Sequence, residues 1–550
     1  MRYLHLAPLS ISLCTSLAMA GCSQVGSTDY YKQQGLAADS AVFSARAPAL
    51  VKQKRSQIAV SESLALSSVS QDTQFYPPEN SWAGNSERYQ QISDNLSIDP
   101  AVQPLSTFST DVDTASFANV RRFINRGELP PVDAVRTEEI VNYFDYHYPQ
   151  PVSDQQPLKM AYEIAPSPWN KQAQLLKVSL QAKDINAQQG KNLVFLVDVS
   201  GSMSSTDKLP LLKRSLHLLT KTLKRNDCIA IVAYAGNANV VLKATSGHKH
   251  SEIDQVITKL RAGGSTNGGN GLDIAYQIAA ANFIKGGVNR ILLATDGDFN
   301  VGMSDVSQMK TYIEKKRKTA VDLSVLGFGQ GNYNDHLMEE LSNAGNGNAA
   351  YIDSLQEAQK VLIHQANATF KNVAYDAKIQ LEFNPDVVSS YRLLGYENRA
   401  LADRDFTNDS KDAGDIGAGQ SVTALYEITY HGQTDPIKLR YQPKQPKIID
   451  TAAEIGFIKM RYKLSQDTPS KEYGLAIAQS SLQSLNKSTA SFKLAVAAAA
   501  YAQKLRHNSA LDNYSWQQLI DLARSAKGED QYGYRSSFIQ QLRLSKALAI

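Results

Sequence analysis

Residues 191–203 read KNLVFLVDVSGSM. Leu193 to Val197 form an unbroken apolar run, the pattern of a parallel strand covered on both faces. Asp198, Ser200 and Ser202 follow, alternating with Val199 and Gly201. Three short oxygen-bearing side chains at every second position past a strand end can be turned toward one point by a curling loop. Hard divalent cations take oxygen ligands, and Mg2+ takes them in a compact octahedron that keeps some of its waters. A helical pattern follows from Leu209 to Leu223, so its N-terminus is expected near the same place. The carboxyl end of a parallel sheet is where open α/β folds put their sites.

Strands are predicted outward from this run at 192–198, 228–235, 239–243, 290–295, 321–327 and 349–352. Helical patterns fill 209–224, 251–260, 269–284, 304–318, 334–344 and 355–365. The alternation predicts a doubly wound α/β sheet. The turn GNAN between the second and third strands predicts a hairpin, and so one antiparallel edge strand.

DVSGSM resembles the DxSxS motif of the von Willebrand factor type A (vWA) domain, the first part of that family's metal-ion-dependent adhesion site. The resemblance assigns Thr266 in AGGSTNGGNGL and Asp296 in RILLATDGDFNVG to the two remaining parts. It implies that Asp198, Ser200, Ser202, Thr266 and Asp296 hold Mg2+, with Mn2+ or Ca2+ as alternatives. The Ser hydroxyls would coordinate directly, Thr266 would join when a ligand is bound, and the two Asp would act largely through waters. Neutral hydroxyls leave the ion electrophilic, and acidic groups one shell back orient its waters. The implied partner is a protein presenting Asp or Glu to the metal. Asp298 and Asn300 lie just beyond and could rim the site; simple loop solvation is the other reading.

The chain has 550 residues and a formal net charge of +4, with basic residues scattered. Several domains are expected at this length. No zinc spacing, RNA-binding signature or basic helix is present, so a nucleic-acid partner is not expected. Arg2 and the short apolar run Leu6 to Ala20 read as an export signal. It closes in AMAGC, which resembles a bacterial lipoprotein box, with Met19 departing from the usual Leu or Val. That resemblance makes Cys22 the acylated anchor, and Ser23 after it favours the outer membrane, facing the periplasm. Cys14 lies in the signal, which leaves Cys228 in DCIAIVAYA as a lone thiol, expected to be buried filler.

The remaining organisation follows from texture. Residues 1–22 are signal and anchor, and 23–75, without sustained period, are a flexible tether. Residues 76–190 carry two predicted helices (114–125 and 136–144) and two strands (158–164 and 174–181). The vWA unit spans 191–365, a β-rich segment 366–465 and a helical region 466–550. The β-like runs on either side of the vWA unit predict a β-sandwich into which it is inserted, and the flanking segments resemble the domains that accompany vWA in a family of bacterial lipoproteins. In STDVDTAS, Asp111 is read as part of the turn and Asp113 or Thr114 as the cap of the first helix, rather than the two Asp as a second cation site. The Ala-rich run SFKLAVAAAAYAQKLR, residues 491–506, reads as a closely packed helix.

No nucleophile and base pair is evident. His248 and His250 are placed away from the sheet mouth, and His336 stands nearer but alone. An enzyme is therefore not expected. The expected function is metal-dependent protein binding at the cell envelope; the alternative is a structural envelope protein with an idle metal site.

Overall fold

The computed structural model describes residues 87–110, 113–153, 156–184, 190–264, 270–297, 306–366, 370–432 and 454–549. Strands on both sides of the motif strand build one sandwich. Before it come β1 (Leu105–Ser109), β2 (Leu158–Pro166) and β3 (Ala173–Ala182). Long after it come β10 (Asn372–Phe383), β11 (Val388–Leu394), β12 (Gly414–Gly417), β13 (Ser421–Tyr430), β14 (Glu454–Lys463) and β15 (Lys471–Ala478). One sheet runs β1-β10-β14-β15 with β12 on β10, the other β11-β13-β3-β2. The pairing of β3 with β13 places Leu180 opposite Val422 and Leu176 opposite Tyr426. Both sheets send alternate residues, among them Phe108, Val178, Leu381, Tyr426 and Ile458, into a shared apolar core.

The segment between β3 and β10 folds into the doubly wound unit. Its strands are β4 (Lys191–Asp198), β5 (Cys228–Tyr234), β6 (Ala238–Ser246), β7 (Val288–Thr295), β8 (Asp322–Phe328) and β9 (Ala349–Ile352). Their order is β6-β5-β4-β7-β8-β9. Only β6 is antiparallel, forming a hairpin with β5. Leu193 to Val197 are fully buried. Alternate β4 residues serve opposite faces: Phe195 and Val197 pack with α3 (Leu209–Thr220), Val194 and Leu196 with α5 (Gly271–Ala281). A strand buried on both faces must be apolar throughout, which is why the run carries no alternation.

The first helix, α1 (Ala115–Asn125), joins two cores. Its Ala115 and Ala118 pack on the vWA unit, while Phe117, Val120 and Ile124 face the C-terminal helices. Those helices are α9 (Ala490–Leu505), α10 (Trp516–Ser525) and α11 (Tyr534–Leu548). The Ala run of α9 is buried from Leu494 to Ala502, and small side chains there allow close approach of its neighbours. Thr489 caps α9 through the Phe492 N–H, and Ser515 with Gln518 forms a capping box on α10. No helix among the described residues is long and apolar enough to cross a membrane.

Four local expectations change. Residues 471–478, placed in a helical region, form β15, an edge strand on β14. Its exposed, weakly alternating side chains give no periodic signal, and pairing with β14 decides its conformation. Gly414–Gly417, read as polar loop, is strand β12 on β10. Thr114 is the N-cap residue of α1 but makes no side-chain cap bond, and Asp113 instead accepts from the Ala349 N–H and pairs with Arg399, while Glu139 takes the Ser116 N–H at the helix start. Cys228 is buried as expected, but it is disulfide-bonded and not a lone thiol.

Candidate metal centre

Strand order places the motif. From β4 the chain winds to β5 and β6 on one side, then returns to β7 on the other. The connections reverse direction at β4, and such a switch point opens a crevice at the carboxyl ends of the strands. β4 and β7 are parallel neighbours with Val197 opposite Ala294, so Asp198 and Asp296 emerge at the same sheet end. Both are completely buried.

Asp198 Oδ1 accepts the Ser200 N–H at 2.8 Å, which curls the chain at the strand end. Tyr234, opposite Asp198 on β5, donates its hydroxyl to Oδ2 at 3.4 Å. The curl brings the Ser200 and Ser202 hydroxyl oxygens to 2.9 Å from each other. Neighbouring oxygens in an octahedron with bonds of about 2.0–2.1 Å stand about 3 Å apart. The two hydroxyls are hydrogen-bonded to each other, and the same spacing suits adjacent ligands to a small divalent cation. Among the described residues no cluster of three or more His, Cys, Asp or Glu is arranged to hold a metal.

The loop that continues to Thr266 is tied to this curl. Gly263 donates its N–H to the Val199 carbonyl at 2.8 Å, and Gly201 donates to the Gly264 carbonyl at 3.1 Å. Gly264 holds φ of +90°, a conformation that favours glycine. Thr266 itself lies outside the described residues, as do Asp298, Asn300, Asp111 and the anchor Cys22.

Electrostatics at the mouth are those of two acids brought close. Burial first, and the Asp296 charge as well, push the Asp198 carboxyl up to about 6, against the opposing pull of the Ser200 hydrogen bonds. Asp296 meets a cation of the chain's own: Lys208 Nζ donates to its Oδ2 at 2.8 Å, with both side chains nearly inaccessible. Sequence reading passed over Lys208 and Tyr234. The available signal for Lys208 was a basic residue just ahead of the helix whose N-terminus faces the motif.

The three histidines have other positions. His248 Nδ1 bonds to the Ser246 hydroxyl and His250 Nε2 to the Leu223 carbonyl, at the end of the sheet away from Asp198. His336 lies on α7 (Asp335–Ala344), 3.9 Å from Glu340.

Comparison with known proteins agrees with this architecture. The family model described as "von Willebrand factor type A domain" matches residues 192–364, and "von Willebrand factor" matches 83–177. The model described as "Uncharacterized protein YfbK, C-terminal" matches 368–548. The chain is 48% identical over 468 residues to "Uncharacterized protein YfbK" of Escherichia coli (strain K12), covering 83% of this chain and 81% of that one. It is 27% identical over 199 residues to inter alpha-trypsin inhibitor, heavy chain 4, of Mus musculus, covering 34% of this chain and 21% of the other. Among solved structures, von Willebrand factor type A from Catenulispora acidiphila matches with TM-score 0.39 and 15% identity, covering 72% of this chain and 91% of that one.

Proposed function

The chain belongs to the family of YfbK and carries a von Willebrand factor type A domain, a protein-interaction module, and from that premise we propose that it binds a protein partner through a divalent cation at the mouth of the β4–β7 crevice. The observation that carries this reading is the pair of Ser200 and Ser202 hydroxyls, 2.9 Å apart beside the buried Asp198.

Ser200 and Ser202, with Thr266 from the neighbouring loop, would hold Mg2+ or a similar hard cation. When bound, the cation supplies an electrophilic position that takes a carboxylate oxygen from the partner. The chain's own residues do the rest. Asp198 fixes the curl through the Ser200 N–H, Tyr234 orients the second Asp198 oxygen, and Asp296, just past the end of β7, adds negative charge. Neutral ligands leave charge for the partner to complement, and the buried acids keep the site attractive to a cation. Acylation of Cys22 would hold the chain at the envelope, with the binding face directed at envelope proteins.

Calorimetric titration of the whole chain with Mg2+, paired with partner capture from envelope extract with and without chelator, tests the reading. Asp198→Ala should weaken the cation. Thr266→Ala should weaken capture more than it weakens the cation. Capture by the unaltered chain that persists in chelator would reject a metal bridge. A second reading, an envelope protein whose site stands idle, is favoured by the Lys208–Asp296 ion pair, which already neutralises one acid of the site.

A further inference from the structure

Lys208 is built into the mouth. Its backbone is held by the Lys208 N–H to Ser205 carbonyl bond at 3.1 Å and by Leu212 donating back to its carbonyl at 2.9 Å. Its stem lies on Gly329, where an added Cβ would fall 2.2 Å from Lys208 Cγ and 2.4 Å from Cε. Any other residue at 329 would collide with that stem, so the fold keeps a channel for it. The side chain is 7% exposed and ends on Asp296, which is 0% exposed. An exposed surface lysine would reach water; this one is directed inward.

The charge count at the mouth then has a consequence. Asp198 and Asp296, both ionised, would together balance a divalent cation held by neutral hydroxyls. Lys208 adds a further positive charge in the same buried space, where charges are poorly screened. The filled site is left one positive charge in excess, and a carboxylate is the ligand that cancels it. The site without a divalent ion is already half neutralised, and so holds such an ion less firmly.

We propose that Lys208 is a specificity-determining counter-cation: it weakens the hold of the site on a divalent ion alone and makes that hold depend on a carboxylate-bearing ligand. This rests on the metal-bridge reading above and deepens it. Cation and acidic ligand would bind cooperatively, with Lys208 as the source of the coupling.

The test uses the whole chain titrated with Mg2+ by calorimetry, with either a short Glu-containing peptide or its Gln counterpart present. The unaltered chain should bind Mg2+ weakly alone and more tightly with the Glu peptide only. Lys208→Met should bind Mg2+ alone about 10- to 100-fold more tightly, the range over which neighbours of metal ligands tune affinity, and should lose most of the Glu-peptide effect. Lys208→Arg, which keeps the charge, should resemble the unaltered chain. Lys208→Gln carries the same expectation as Lys208→Met should the latter fail to fold. Lys208→Met or Lys208→Gln that binds Mg2+ no more tightly than the unaltered chain, or keeps the full peptide effect, overturns the inference while Asp198→Asn still weakens binding. If no variant binds Mg2+ and Asp198→Asn changes nothing, the metal-bridge reading falls and the inference with it.

Discussion

Gly297 lies directly against the backbone of Asn332: a Cβ on Gly297 would stand 2.2 Å from the Asn332 carbonyl oxygen and 2.8 Å from the Asn334 nitrogen. Gly297 follows Asp296, and residues 329–334 form the turn between β8 and α7. The close approach seats that turn on the strand end that carries the second acid of the site. Gly297 also holds φ of +109°, where an L side chain is strained. Gly297→Ala should cost about 1–3 kcal/mol of stability and weaken Mg2+ binding, because the turn and Asp296 can no longer share their present positions. Urea unfolding and Mg2+ titration check it; a variant as stable as the unaltered chain with unchanged binding contradicts the packing described.

The same turn is held on its other flank by the N-terminal segment. Gly331 donates its N–H to Glu87 at 3.0 Å, Arg88 donates to the Tyr333 carbonyl at 3.0 Å, and Arg122 of α1 grips Glu87 at 2.6 Å. Arg122 holds the Glu87 carboxyl below the usual carboxylate range in spite of its burial. Removing one partner of a buried ion pair typically costs about 3–5 kcal/mol. Arg122→Met should therefore destabilise the fold by about that much and, in native-state hydrogen exchange, speed exchange at residues 329–334 beyond the global effect. Uniform acceleration across the chain would show that the segment does not brace this turn in particular.

Asp198 gives the metal-free protein a pH signature. Burial raises its carboxyl from 3.8 to about 6. Between about pH 4 and pH 6 the folded chain keeps a proton that the unfolded chain has released, so metal-free stability should fall as pH rises through that window and then level off. Two pH units correspond to about 3 kcal/mol. Asp198→Asn should remove this slope and, in chelator at pH 7, leave the fold more stable than the unaltered chain. Parallel slopes for the two proteins through the window would assign the pH dependence to other groups.

If Cys22 is the acylated residue, Cys22→Ser should abolish labelling by a fatty-acid probe and move the protein from the membrane to the soluble fraction. Stable membrane attachment needs more than a single weak anchor, so the shift should be nearly complete. Labelling that survives the substitution would place the acyl chain elsewhere.

The sequence alone determined the strand, its buried character and the chemistry of the motif. Leu193 to Val197 could only be covered on both faces, and Asp198, Ser200 and Ser202 sit at local spacing that a short curl converges. It also predicted the insertion of the vWA unit, since β-like runs stand on both sides of it. Those properties are local or periodic, so they are written along the chain. What only the tertiary structure decided are pairings between distant positions. β15 is a strand because β14 offers it an edge, not because KEYGLAIA alternates. Asp113 serves Ala349 and Arg399, more than two hundred residues away in the chain, in preference to the helix start beside it. Lys208 reaches Asp296 across 88 positions, and its channel exists because residue 329 is a glycine. A charge on a single chain position has no partner until folding brings one within a few ångströms in a poorly screened space. That is why the convergence of Asp198, Ser200 and Ser202 was legible in the sequence while Lys208, which folding sets against Asp296, was not.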